Sequence, residues 1–180
     1  MVGDTIKGRF VDLVPICVED AEFTRNLRMD SRFIPYFPYF SNTLEEQKEW
    51  IKNQRKKDGD YFFVVWNKNG ERIGTIGLYA YDGEKCEAGR LAIMGNAFQS
   101  IEAQLLSFDY AFNVLGVKQT VSYIFKCNER ALRFSKNFGG TFEDDIAHDS
   151  SKQMVKKTTT KDDFNQSSIK IKNMIYREEK

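Results

Sequence analysis

The 180-residue sequence is poor in the residues that would fix its chemistry on sight. It has one histidine, His148, and three cysteines, Cys17, Cys86 and Cys127, far apart and with no CxxC pair. No Cys/His zinc cluster can be assembled from that set, and the odd, scattered count predicts reduced, mostly buried thiols. Long apolar runs are missing too. The longest, Tyr61-Phe62-Phe63-Val64-Val65-Trp66, has six residues, where a bilayer-spanning helix needs about twenty. The first ten residues, MVGDTIKGRF, contain no apolar signal-peptide segment. Neither charge sign dominates: 27 Lys and Arg face 26 Asp and Glu, net +1, so the basic excess of a phosphate-neutralising nucleic-acid binder is absent. The expectation is a cytoplasmic protein with no membrane and no nucleic-acid partner.

What the chain does have is core material. Fifteen Phe, eight Tyr and two Trp argue against disorder, and the length predicts a single domain over 1–180. Residues 9–16 read as a first strand and Glu19-Asp20 as the start of a helix through Leu27 and Arg28. Ile34–Phe40 holds two of the three prolines and is expected to be an aromatic loop or a short broken helix. Thr43 with Glu46 forms a capping-box pattern opening a helix with Trp50 and Ile51 inward. Tyr61–Trp66 and Arg72–Tyr79, joined by a turn at Asn67–Gly70, read as a β-hairpin, followed by a strand over about 86–94.

Ile101, Leu105, Phe108, Phe112 and Leu115 then step by 4, 3, 4 and 3, one face of an amphipathic helix, with Asn96 and Gln99 as its capping box and Gly116 ending it. Val117–Phe125 reads as a strand and Asn128–Phe138 as a short helix with Ala131, Leu132, Ser135 and Phe138 inward. Residues 141–147 and 152–159 read as strands. Thr160–Asp163 caps a last helix with Phe164, Ile169, Met174 and Ile175 apolar. Mixed order of this kind indicates an α/β (α+β) fold, helices on a central sheet.

Several strings, in order, resemble the GNAT superfamily of acyl-CoA-dependent N-acyltransferases, and within it the ribosomal-protein-alanine and amino-sugar acetyltransferase branch. They are Leu13-Val14-Pro15-Ile16 with Glu19-Asp20 and Leu27-Arg28; Thr43–Ile51; Ile73-Gly74-Thr75-Ile76-Gly77; Glu87-Ala88-Gly89-Arg90; Glu102-Ala103; and Asn128-Glu129-Arg130-Ala131 with Gly139. Together they span residues 9–140. The resemblance implies a mixed central sheet of about six to seven strands with helices on both faces, and acetyl-CoA as acyl donor.

It also implies site residues. Leu91, Ala92 and Ile93 would offer backbone groups to the pantetheine arm, and Asn128 would hydrogen-bond the same arm. The pyrophosphate would sit on the helix N-terminus formed by Asn96, Ala97, Phe98, Gln99, Ser100 and Ile101, where unpaired N–H groups and the helix dipole favour anions. Two positions depart from the family pattern. Phe98 stands where a glycine usually lets the backbone approach phosphate; a ring turned away into the core would leave its N–H usable, and the alternative is a ring that blocks the site. Ser135 stands seven residues after Asn128, where the family often has a tyrosine acid, and a serine hydroxyl is a much weaker acid.

Glu87 is the candidate general base, or else a solvated or salt-bridged strand residue. Arg90 is either structural or near an anionic substrate group. Tyr36 and Tyr39, in the aromatic loop, either pack in the core or stack on an acceptor base or sugar. His148 lies in a turn expected to overhang the acceptor, or is a plain surface histidine. Residues 151–180 carry eight Lys and Arg against four Asp and Glu, either a solvated face or an attraction for an anionic acceptor. The expected reaction is transfer of an acetyl group to a primary amine, weakly favoured as a small or nucleotide-linked amino sugar. The alternatives are a protein N-terminal amine acceptor and a non-catalytic binding module. No metal is expected, and a homodimer stays open.

Overall fold

The computed structural model describes residues 4–37, 42–145 and 153–177. Tyr39 and His148 lie outside them. Among the described residues, eight strands form one sheet in the order β1-β2-β3-β4-β5-β6-β8-β7, one strand beyond the upper expectation. The addition is the two-residue β1, Ile6–Lys7, which pairs with β2, Val11–Pro15. It is too short to show any alternation in sequence.

Contacts divide the chain into two compact units, residues 1–80 with 89–107, and residues 81–88 with 108–180. In the first, β2 pairs antiparallel with β3, Tyr61–Asn67, and β3 with β4, Arg72–Tyr79. This is the expected hairpin. All of Tyr61–Val65 is buried, so both faces of β3 are covered, and its unbroken apolar run reflects that. On one face Phe62 and Val64 join Ile16, Ala21 and Ile51. The latter two come from helices α1, Ala21–Met29, and α2, Leu44–Gln54. The Thr43 and Glu46 capping box of α2 is present with both reciprocal bonds, as expected. Ile34–Tyr36 is one 3-10 turn.

β5, Lys85–Ile93, is divided between the units. In the second unit its first residues run parallel to β6, Gln119–Phe125; β6 pairs antiparallel with β8, Met154–Thr160, and β8 with β7, Thr141–Asp145. The core here is aromatic. Phe108 meets Phe138 and Phe164 edge-on at 5.7 and 5.9 Å, and Phe112 stacks on Phe164 at 5.2 Å.

Three local expectations need correction. The long helix α3, Ala97–Asp109, does not continue evenly to Leu115. Tyr110–Val114 is a π turn, whose extra residue breaks the 3.6-residue period and leaves Val114 exposed. In α5, Lys161–Ile175, the buried stripe is Phe164, Ser168, Ile171 and Ile175, while Ile169 and Met174 face solvent. Of the cysteines, only Cys86 is fully buried; Cys17 is half-buried and Cys127 exposed.

Candidate functional site

The feature that sets β5 apart is its backbone. Arg90 has φ of +52° in the middle of the strand, a left-handed conformation that costs a non-glycine residue of order 1–3 kcal/mol. It forms a kink just ahead of Leu91, Ala92 and Ile93, the residues expected to offer main-chain groups to an acyl donor. The Arg90 side chain is fully engaged. It forms a two-pronged ion pair with the buried Asp60, Nη1 to Oδ1 and Nη2 to Oδ2, the latter at 3.0 Å. Its carbonyl accepts the Thr75 hydroxyl at 2.8 Å. The structural alternative for Arg90 is therefore the one these contacts favour. Arg28, half-buried in α1, lies over the Phe37 ring at 5.4 Å. Burial lowers its pKa from the usual arginine value, and the charge of Arg90 adds to the effect.

Beyond Ile93 the chain turns into α3. Met94 N–H donates to Ile73 O at 2.7 Å. Asn96 and Gln99 close a reciprocal box, Gln99 N–H to Asn96 Oδ1 at 3.0 Å and Asn96 N–H to Gln99 Oε1 at 2.9 Å. Ser100 spends both N–H and hydroxyl on Asn96 O. The N–H groups of Ala97 and Phe98 have no acceptor among the described residues. They are the unpaired donors a helix start offers an anion. The Phe98 ring does not turn into the core. It is 48% exposed and lies on Phe10 at 5.6 Å. Ile101 is half-buried. Two main-chain donors are thus left for a phosphate, with the Phe98 ring laid on Phe10 instead of in the core.

A residue the sequence reading quoted but did not assign secures this helix start. Glu102 is fully buried, and its carboxylate accepts the N–H groups of Arg9, Phe10 and Val11 at 2.8, 2.6 and 2.8 Å. A carboxylate so supplied is held firmly. Nothing in the local pattern marks it, because its donors are main-chain groups more than ninety positions away.

In the second unit, Glu87 is half-buried on β5 opposite Val121, between the buried Cys86 and Ala88. Asn128 caps helix α4, Glu129–Lys136, its Oδ1 accepting from Ala131 N–H at 3.0 Å. Its Nδ2 keeps donors with no acceptor among the described residues. Ser135 is half-buried on α4, and its hydroxyl donates to Leu132 O at 3.0 Å, a back-bond that occupies its proton. The Ser135 carbonyl accepts from Nζ of Lys157 at 2.7 Å. Lys157, counted in the sequence among the tail cations of a solvated or anion-attracting face, is instead 2% exposed, and burial pushes its pKa down to about 8. Tyr36 is half-buried, with its N–H on Phe33 O. The thiols of Cys17 and Cys86 are pushed up to about 12, chiefly by burial and at Cys17 also by Asp20, so both stay protonated at neutral pH.

The comparisons with known proteins bear on what this geometry is for. No curated protein matches the chain. Among solved structures, apo FdhC, described as a nucleotide-linked sugar GNAT, superposes with a TM-score of 0.77 at 21% identity, covering 92% of this chain and 95% of that one. A spermidine N-acetyltransferase SpeG chimera from Vibrio cholerae and hSSAT gives 0.74 at 17%, over 88% and 99%. The ribosomal-protein-alanine acetyltransferase from Vibrio fischeri gives 0.73 at 16%, over 90% and 99%. At these identities the likeness establishes the fold. The family model for the acetyltransferase (GNAT) domain matches residues 11–141, nearly every residue discussed above, and the chain belongs to that family of N-acetyltransferases.

Proposed function

We propose that this chain transfers the acetyl group of acetyl-CoA directly to a primary amine, with a small or nucleotide-linked amino sugar as the favoured acceptor. The observation that carries the donor half is the stretch 90–98: a kinked strand end running into a helix whose Ala97 and Phe98 N–H groups are unspent. Those two donors take the pyrophosphate, with Asn96, Gln99, Ser100 and Ile101 shaping the turn. Leu91, Ala92 and Ile93 bind the pantetheine arm by main-chain groups, and Asn128 donates to the same arm from Nδ2. Bound acetyl-CoA supplies a thioester carbonyl that an amine can attack.

Glu87 is the general base that takes the proton from the acceptor ammonium, leaving the free amine. Ser135 stays a weak partner, able to donate a hydrogen bond to the departing sulfur only by giving up Leu132 O. A thiol of ordinary acidity, near 8.5, leaves as thiolate at little cost. The match of one family model to residues 11–141, drawn from both units, supports reading them as one domain.

For the acceptor, residues 151–180 carry eight Lys and Arg against four Asp and Glu, an excess that favours a substrate bearing negative groups, such as a sugar nucleotide, over a polyamine. Tyr36 is the aromatic available for stacking. The test is free-thiol release from acetyl-CoA with four acceptors: an amino-sugar nucleotide, a free hexosamine, spermidine and an alanine-initiated peptide. The amino-sugar nucleotide should turn over fastest, and Glu87→Gln should lower that turnover about 10²–10⁴-fold with acetyl-CoA affinity unchanged. Turnover confined to the peptide would reassign the acceptor. No thiol release with any amine, in a chain that binds acetyl-CoA, would overturn the reaction in favour of a binding module.

A further inference from the structure

We infer that Asp60 is a positioning residue for the acyl donor: by clamping the Arg90 side chain it holds the left-handed kink of β5 that aims Leu91, Ala92 and Ile93. The inference rests on the donor-site reading given above. Asp60 comes thirty positions before Arg90, just ahead of β3, so no sequence motif connects them.

A left-handed arginine persists only where its surroundings leave it no alternative. Here they do. Asp60 takes both Nη groups. The carboxylate is itself fixed, because Gln54 Nε2, at the end of α2, donates to Asp60 O and to Oδ1, both at 3.1 Å. The guanidinium lies over the rings of Tyr79, Phe62 and Trp50 at 4.3, 5.0 and 5.7 Å. Two glycines make room for this stack. A Cβ at Gly77 would come within 3.1 Å of Arg90 Cδ, and one at Gly89 would collide with the Tyr79 hydroxyl.

Apart from the Thr75 hydroxyl on its carbonyl, the attachments of Arg90 act on the far end of the side chain. Released from them, Arg90 would relax toward ordinary extended φ, and each residue after it would turn to the other face of the strand. The groups meant for the donor would then point away from it. A clamp that served stability alone would leave donor affinity, measured per folded molecule, untouched.

The experiment uses the full chain with acetyl-CoA. Two quantities are read: amide hydrogen exchange at Gly89–Ile93 in the free protein, with Leu13 and Val64 as fold controls, and the acetyl-CoA dissociation constant by calorimetry. Asp60→Asn should raise exchange at Gly89–Ile93 about tenfold with the controls unchanged, and weaken acetyl-CoA about tenfold. Glycine adopts positive φ without strain, so Arg90→Gly should keep affinity within about threefold, while Arg90→Ala should lose about tenfold. Adding Asp60→Asn to Arg90→Gly should change affinity less than about twofold.

The inference is overturned if Asp60→Asn leaves exchange or affinity unchanged, if Arg90→Ala and Arg90→Gly bind alike, or if Asp60→Asn costs the same in both backgrounds. The two Arg90 variants decide the matter even if Asp60→Asn does not fold. A wild-type chain that fails to bind acetyl-CoA would sink the donor-site reading instead, and the exchange measurement would still report whether Asp60 holds the kink.

Discussion

Arg90 and Lys157 are both withdrawn from water, Arg90 partly and Lys157 almost wholly, and each lies against three aromatic rings: Trp50, Phe62 and Tyr79 for the first, Phe108, Phe138 and Phe142 for the second. They differ in what completes the environment. Arg90 meets the carboxylate of Asp60. Lys157 donates to a neutral carbonyl, Ser135 O, and no carboxylate lies within ion-pairing distance of it among the described residues. Asp163 acts on it only through longer-range attraction, too weak to offset burial. Ring faces attract a cation but do not replace its lost hydration. Enclosed with a carboxylate, a buried charge becomes a mechanical fixture. Enclosed without one, it becomes a group that sheds its proton near physiological pH.

Removing the carboxylate is the most damaging way to erase that difference. Asp60→Ala should cost about 3 kcal/mol in urea denaturation, because it strands the Arg90 charge among rings. A loss below about 1 kcal/mol would mean that the rings alone suffice.

The converse change acts on Lys157. The folded pKa is about 8 against roughly 10.4 for an unfolded lysine. Below pH 8 both states hold the proton, and the folded state bears the full cost of burying it. Between about 8 and 10.4 the unfolded state binds more protons, so stability rises with pH and the penalty fades. Lys157→Met should therefore stabilise the protein by about 2 kcal/mol at pH 7, with the advantage shrinking toward pH 10. The Ser135 carbonyl keeps the Phe138 N–H as a donor. A constant advantage across that range would show that packing, not charge, makes the difference.

The smallest effect belongs to a pair in water. Arg133 and Glu129 sit 3.8 Å apart on α4, each more than 70% exposed. Arg133→Ala should leave the denaturation midpoint unmoved.

What the sequence made legible follows from distance along the chain. The boxes at Thr43, Asn96 and Thr160 close over three residues, and the hairpin from Tyr61 to Tyr79 turns on itself, so composition and spacing specify them. The GNAT strings point to the proposed donor stretch for the same reason. The Asp60 clamp and the Glu102 anchor depend on partners brought together by the sheet, and no local signal announces them. Positive φ at Arg90 is equally hidden, since such positions usually carry glycine or asparagine. The spacing from Asn128 singles out Ser135, but not the direction of its hydroxyl, because a serine in a helix can turn back to its own carbonyls.

The Glu102 anchor also has a consequence in time. Arg9, Phe10 and Val11 leave a ribosome about ninety residues ahead of the carboxylate that binds their N–H groups. Closing so long a loop is slow compared with forming a hairpin. The pairing of β2 with β3 can be complete while these three amides are still bound to water, and they exchange it for Glu102 only once α3 exists. Residues 9–11 are therefore made well before the group that fastens them exists.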